Sequence, residues 1–126
     1  MKKIFLAVIF TLTIFFTPAR NCEATDIWVA HWNEENVDIY VMDETIKNVS
    51  STGYTAFSVS TKKVRDGQLV QNIKWIFSKL NGDMWRYETN TMDGSHTTAV
   101  LPRNMIFEFC MENLGLSYQI EDFWYY

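Results

Sequence analysis

Histidine and cysteine are the scarce residues of this chain, two of each in 126, and their scarcity removes most metal and nucleophile chemistry at the outset. His31 and His96 lie in different segments without HxxxH or HExxH spacing. Cys22 and Cys110 add too few thiolates to complete a zinc site. No GxSxG elbow, phosphate-binding glycine loop or EF-hand loop is present. The carboxylate pairs Glu34-Glu35 and Asp43-Glu44 fall in polar turns, whereas glycosidase-like chemistry needs two carboxylates set across a cleft. The chain therefore reads as non-catalytic, with no metal and no cofactor. Surplus positive charge is missing too. Lys and Arg number 11 against 15 Asp and Glu, a formal charge of −4, which disfavours nucleic acid as a partner.

No apolar run is long enough to cross a membrane. Uncharged Ile4–Phe16 falls short of the roughly 20 helical residues that a ~30 Å hydrocarbon core requires. Met1-Lys2-Lys3 precedes it and small residues follow up to Ala24, so residues 1–24 read as a secretory signal peptide. Arg20 and Asn21 break the pattern that lipidation of Cys22 would need. The expected product is exported to the periplasm, cell surface or extracellular space. It is one domain over residues 25–126, with no integral membrane segment. Cleavage after Ala24 leaves Cys110 alone, acting as a small buried hydrophobe; cleavage after Ala19 would let Cys22 and Cys110 pair.

Aromatic and β-branched residues are plentiful, and they are concentrated between Gly53 and Thr91. There Asp66-Gly67 and Asn81-Gly82, dipeptides that favour positive φ, separate three such runs, which predicts a three-stranded antiparallel meander. Upstream, Asp26–Trp32 and Val37–Met42 are strands joined by Asn33–Asn36. In the second, Val37, Ile39 and Val41 share one face and Asp38, Tyr40 and Met42 the other. Thr45–Val49 is a further short strand, and Thr97–Leu101 can pair at the sheet edge. Met105–Leu114 is a helix between an Asn104 N-cap and a Gly115 C′ residue. Its apolar stripe is Ile106, Phe109, Cys110 and Leu114, widened by Met105, Phe107 and Met111, with Asn104, Glu108 and Glu112 solvated. Leu116, Tyr118 and Ile120 alternate as a last strand, and the tail Phe123–Tyr126 packs on the sheet. The predicted fold class is α+β, an antiparallel sheet of about five to six strands with one C-terminal helix packed on a face.

Two-residue loops at both glycine turns would set Val64 opposite Leu69 and Leu80 opposite Asp83. One face then gathers Tyr54, Ala56, Ser58 and Ser60 beside Ile73, Trp75 and Phe77, with Met84 and Arg86 beyond. The other gathers Thr55, Phe57 and Val59 beside Ile76 and Leu80, with Trp85 and Tyr87 beyond. The shallow Ala56-Ser58-Ser60 row is the expected seat of the helix, and the face carrying Phe57, Val59, Ile76, Trp85 and Tyr87 needs a cover.

Charge offers one candidate site. Lys62, Lys63, Arg65 and Lys74 gather towards the first hairpin and form a basic patch able to meet an acidic protein surface or a sulfated glycan; lysines at strand ends also serve to deter edge pairing. Further along, a strand ending Tyr40-Val41-Met42-Asp43 with Thr45-Ile46 behind it leads to a long strand and a DG turn. Trp75-Ile76-Phe77, Trp85-Arg86-Tyr87 and a proline-preceded helix carrying Cys110 follow. Over about Val37 to Leu114 this order resembles the surface-adhesin protein E family of small exported bacterial proteins. The resemblance implies an antiparallel sheet with one packed helix and a role in binding host extracellular-matrix or plasma proteins. Family members commonly bridge the helix cysteine to one in the strand after the aromatic run; here that stretch is Phe77-Ser78-Lys79-Leu80. The family's ligand-binding residues form no motif in this chain, so none is carried over. The expectation is a small exported binding module. The alternatives are an envelope protein that homodimerises through its second sheet face and a periplasmic hydrolase inhibitor that presents a loop.

Overall fold

The computed structural model describes residues 26–92 and 97–126; Asp26–Trp32 and Met105–Leu114 have the expected bounds, whereas the expected strands Val37–Met42 and Thr45–Val49 run together as one. Residues 1–24, read from sequence as a signal peptide and including Cys22, lie outside the described residues, as does His96. Strands β1 (Asp26–Trp32), β2 (Val37–Asn48), β3 (Tyr54–Arg65), β4 (Gln68–Leu80), β5 (Arg86–Thr89) and β6 (Thr98–Ala99) form one six-stranded sheet in sequential order. Every pairing in it is antiparallel. Helix α1 (Met105–Leu114) follows, then a small hairpin of β7 (Ile120–Glu121) and β8 (Trp124–Tyr125). Among the described residues, the α+β class with a single packed helix is what the sequence predicted.

The first glycine turn forms as expected. Asp66 and Gly67 both take positive φ, 52° and 75°, and Arg65 pairs with Gln68. Two pairs further along, the register slips. Val64 faces Leu69 but Lys63 faces Gln71, so Val70 is an extra residue on β4. At the second turn the Asp83 amide donates to the Leu80 carbonyl at 3.0 Å, and Gly82 takes φ 81°. One more residue then enters before β5, and pairing resumes with Ser78 opposite Arg86. Because side chains alternate with period two, each single-residue slip turns β4 over relative to its neighbour.

The expected face assignment is therefore corrected for β4. Phe57, Val59 and Thr61 share a face with Ile73, Trp75 and Phe77 (Phe57 opposite Phe77, Val59 opposite Trp75), and Trp85 and Tyr87 lie beyond on that same side. Ala56, Ser58 and Ser60 lie opposite Ser78, Ile76 and Lys74 on the reverse side. The sheet thus has one aromatic inner face and one mixed outer face, the usual half-solvated antiparallel arrangement.

A second correction follows for the helix. It docks on the inner face, not in the small-residue row. Phe107 is fully buried, and its ring lies 6.1 Å from Phe57, 5.5 Å from Phe77, 5.2 Å from Trp85 and 4.5 Å from Tyr125. Ile106, Phe107, Cys110 and Met111 are the buried helical residues, while Phe109 and Leu114 are half-buried and Met105 is exposed. The stripe is rotated from the expected one, with the Phe107 ring and not that of Phe109 seated among the sheet's aromatic row and Tyr125. Burying these four side chains contributes on the order of 6–12 kcal/mol before conformational entropy is counted.

Local chemistry fixes both helix ends. The Phe107 amide donates to Asn104 Oδ1 at 3.0 Å. Gly115, at φ 71°, and Leu116 return their amides to Glu112 and Met111, a Schellman-type stop. Asn104 and Glu108, expected in water, are half-buried because the tail reaches them. The Tyr125 hydroxyl donates to Glu108 Oε2 at 2.5 Å and accepts from the Arg103 amide at 2.8 Å and the Asn104 amide at 3.3 Å. The Trp85 amide donates to the Tyr125 carbonyl at 2.9 Å, tying the tail to the start of β5. Of the predicted Leu116–Ile120 strand only the end pairs, in the terminal hairpin: Gln119 exchanges both backbone hydrogen bonds with Tyr126, and Ile120 faces Tyr125.

Candidate binding face

With α1 and the terminal hairpin on the inner side, the outer face of β1–β3 is where exposed aromatic and charged groups meet. Its position depends on irregularities in the strands. Trp32 pairs with Val37 and Ala30 with Ile39, so an unbroken β1 would set Trp28 opposite Val41, facing the core. The register shifts between Trp28 and Ala30, and Trp28 instead faces Tyr40 on the outer side, 54% exposed. Bulges commonly re-aim one side chain in this way. In β2 the Asp43–Ile46 segment is looped out between the Met42–Ser60 and Lys47–Ser58 pairs. The Thr45 hydroxyl fills the gap in the ladder, donating to the Met42 carbonyl at 2.6 Å and accepting from the Ser60 amide at 2.8 Å.

Two polar networks hold the outer face. Trp28 Nε1 donates to Asp38 Oδ1 at 3.0 Å, and His31 Nδ1 lies 3.0 Å from the same oxygen. These hydrogen bonds, Trp28's first and then His31's, hold the Asp38 carboxyl below the usual carboxylate range. Beside them Lys62 Nζ meets Asp26 Oδ2 at 2.7 Å. A depression of about 480 Å³ opens here, bounded by Asp26, Tyr40, Lys62, Val64 and Leu69, and Leu69 is 55% exposed. The arrangement offers apolar contact area around hydrogen-bonding groups whose orientation is already fixed, which suits recognition of another surface.

The four basic residues singled out from sequence are separated by the fold. Lys62 and Lys74 lie on the outer face. Lys63 and Arg65 point the other way, towards the β1–β2 loop. There Lys63 Nζ pairs with Glu35 Oε1 at 2.7 Å and sits 5.3 Å from the centre of the Trp32 ring, while Arg65 donates to the Glu35 carbonyl at 2.8 Å. Three of the four are thus engaged within the chain. Sequence reasoning missed the Trp28–His31–Asp38 constellation. The alternation of Asp38 and Tyr40 was legible, but the bulge that carries Trp28 to them has no composition signal.

Among the described residues no cluster of three or more His, Cys, Asp or Glu could hold a metal, and His31 has no hydroxyl or thiol hydrogen-bonded to it. Cys110 is a buried free thiol, and burial pushes it up to about 12, far from a reactive thiolate. By architecture the protein belongs with small antiparallel sheets that carry one packed helix. No family model, curated protein or solved structure matched the chain.

Proposed function

We propose that the protein is a small exported, non-catalytic binding module that engages an extracellular protein through the outer face of β1–β3. The observation that carries this reading is Trp28, turned outward by a bulge and held by Asp38 in a face that no described element covers. Export rests on the signal-peptide pattern of residues 1–24, and the class of partner on the resemblance to surface-adhesin protein E. Indole rings set among fixed polar groups are frequent energetic centres of protein interfaces.

Retention on immobilised matrix and plasma proteins tests the reading, with wild type compared against Trp28→Ala and against a Lys62→Glu, Lys63→Glu, Arg65→Glu triple variant. We expect wild type to be retained at physiological salt and Trp28→Ala to lose affinity at least about tenfold. The triple variant reports how far the basic residues take part. Absence of retention on every protein, or full retention of Trp28→Ala, overturns the assignment.

A further inference from the structure

Between the free edge of the sheet and the helix runs a second groove, about 490 Å³, which meets the outer face at Trp28, a residue that borders both. Val29, Phe109, Leu116 and Tyr118 make its apolar walls, and Glu108 and Glu112 stand in it. The two carboxylates lie four residues apart on one helix face, where like charges repel. Glu112 is also in the last turn, at the negative end of the helix dipole, and no basic residue occupies that turn. Among the described residues neither glutamate forms an ion pair. Arg103 belongs to a different depression, at the other end of the helix. The local field agrees with this: after burial, Glu108 and then Glu112 hold the Tyr118 hydroxyl above its ordinary range.

A helix terminus that concentrates negative potential beside apolar walls is complementary to a cation on an apolar stem. We propose that this groove receives a lysine- or arginine-bearing apolar segment of a partner protein. The cationic head lies between Glu108 and Glu112, and its stem and apolar neighbours lie along Val29, Phe109 and Leu116.

Titration calorimetry on the whole protein tests this with three probes: a peptide alternating lysine and valine, its glutamate–valine counterpart, and spermidine. Glu112 is exposed, so Glu112→Lys leaves the core intact, and Glu44→Lys, an equal charge change at an exposed residue of the looped-out Asp43–Ile46 segment, serves as the control. The lysine peptide is expected to bind saturably, to weaken about tenfold or more with Glu112→Lys, and to be unaffected by Glu44→Lys. The proposal is overturned by no binding of the lysine peptide, by equal binding of the glutamate peptide, or by indifference to Glu112→Lys. It also falls if spermidine binds as tightly as the peptide, which would make the groove a site for free polyamines.

Discussion

The two faces of the sheet are built from the same strands and use aromatic residues in opposite ways. On the inner face Phe57, Trp75, Phe77, Trp85, Tyr87 and Phe107 stack on one another, with ring centres 5.1–5.7 Å apart along the chain Phe107–Trp85–Phe57–Phe77–Trp75–Tyr87. Its polar groups are paired within the core: Trp75 Nε1 donates to Thr61 Oγ1 at 2.9 Å, and that hydroxyl donates to the Ile73 carbonyl at 3.3 Å. On the outer face Trp28 also donates through its indole, to Asp38, but its ring remains in water. Burial makes the first set a source of stability; exposure leaves the second free for a partner. The same residue type serves both ends, and the register of a strand decides which.

The sharpest way to break this contrast is to truncate one aromatic on each face. Phe107→Ala should cost about 3–5 kcal/mol in urea unfolding, a large share of a small domain's ~5–15 kcal/mol. Trp28→Ala should stay within about 1 kcal/mol of wild type. A comparable loss in both would mean that the outer ring is also part of the core. Next in size is Tyr125→Phe. It keeps the ring on Phe107 but leaves the Arg103 and Asn104 amides and Glu108 without their shared hydroxyl. We expect a loss of about 1–3 kcal/mol in the same measurement.

A smaller effect of opposite sign belongs to the tail. Asp122 and Phe123 form the two-residue loop of the terminal hairpin with φ of 49° and 72°, and Phe123 is 79% exposed. A bulky side chain is strained there, so Phe123→Gly should raise the melting temperature, with a gain of about 1 kcal/mol. The smallest effect concerns pH and the outer face alone. Asp38 titrates below its ordinary 3.8 when folded, so its contribution is complete above that value and is lost as pH falls through the lowered one. Asp38→Asn should therefore lower stability slightly near neutrality, where that contribution is complete, and flatten the acid limb of the profile below about pH 4, as urea midpoints across that range would show.

Much of the architecture was written locally. Asp66-Gly67 supplied a turn that only left-handed backbone can make, and Asn104 and Gly115 bounded the helix through hydrogen bonds within a few residues of themselves. The alternation of Val37, Ile39 and Val41 identified the buried side of β2, and all three are buried. The binding face was less legible. Asp38 and Tyr40 could be placed on one side of their strand, yet nothing near Trp28 in sequence shows that it joins them.

What the sequence by itself determined, then, is the central strands, the helix and its ends, and the class of fold, because turns, caps and periodicity act over a few residues. Only the tertiary structure decided which side of β4 is inside, where the helix sits and which tryptophan faces water. Those outcomes hang on single extra residues at Val70, after the Asn81-Gly82 turn and near Val29. A one-residue slip leaves the local pattern unchanged and reverses every side chain beyond it, and only packing of Phe57, Phe77 and Phe107 into one core selects among the registers.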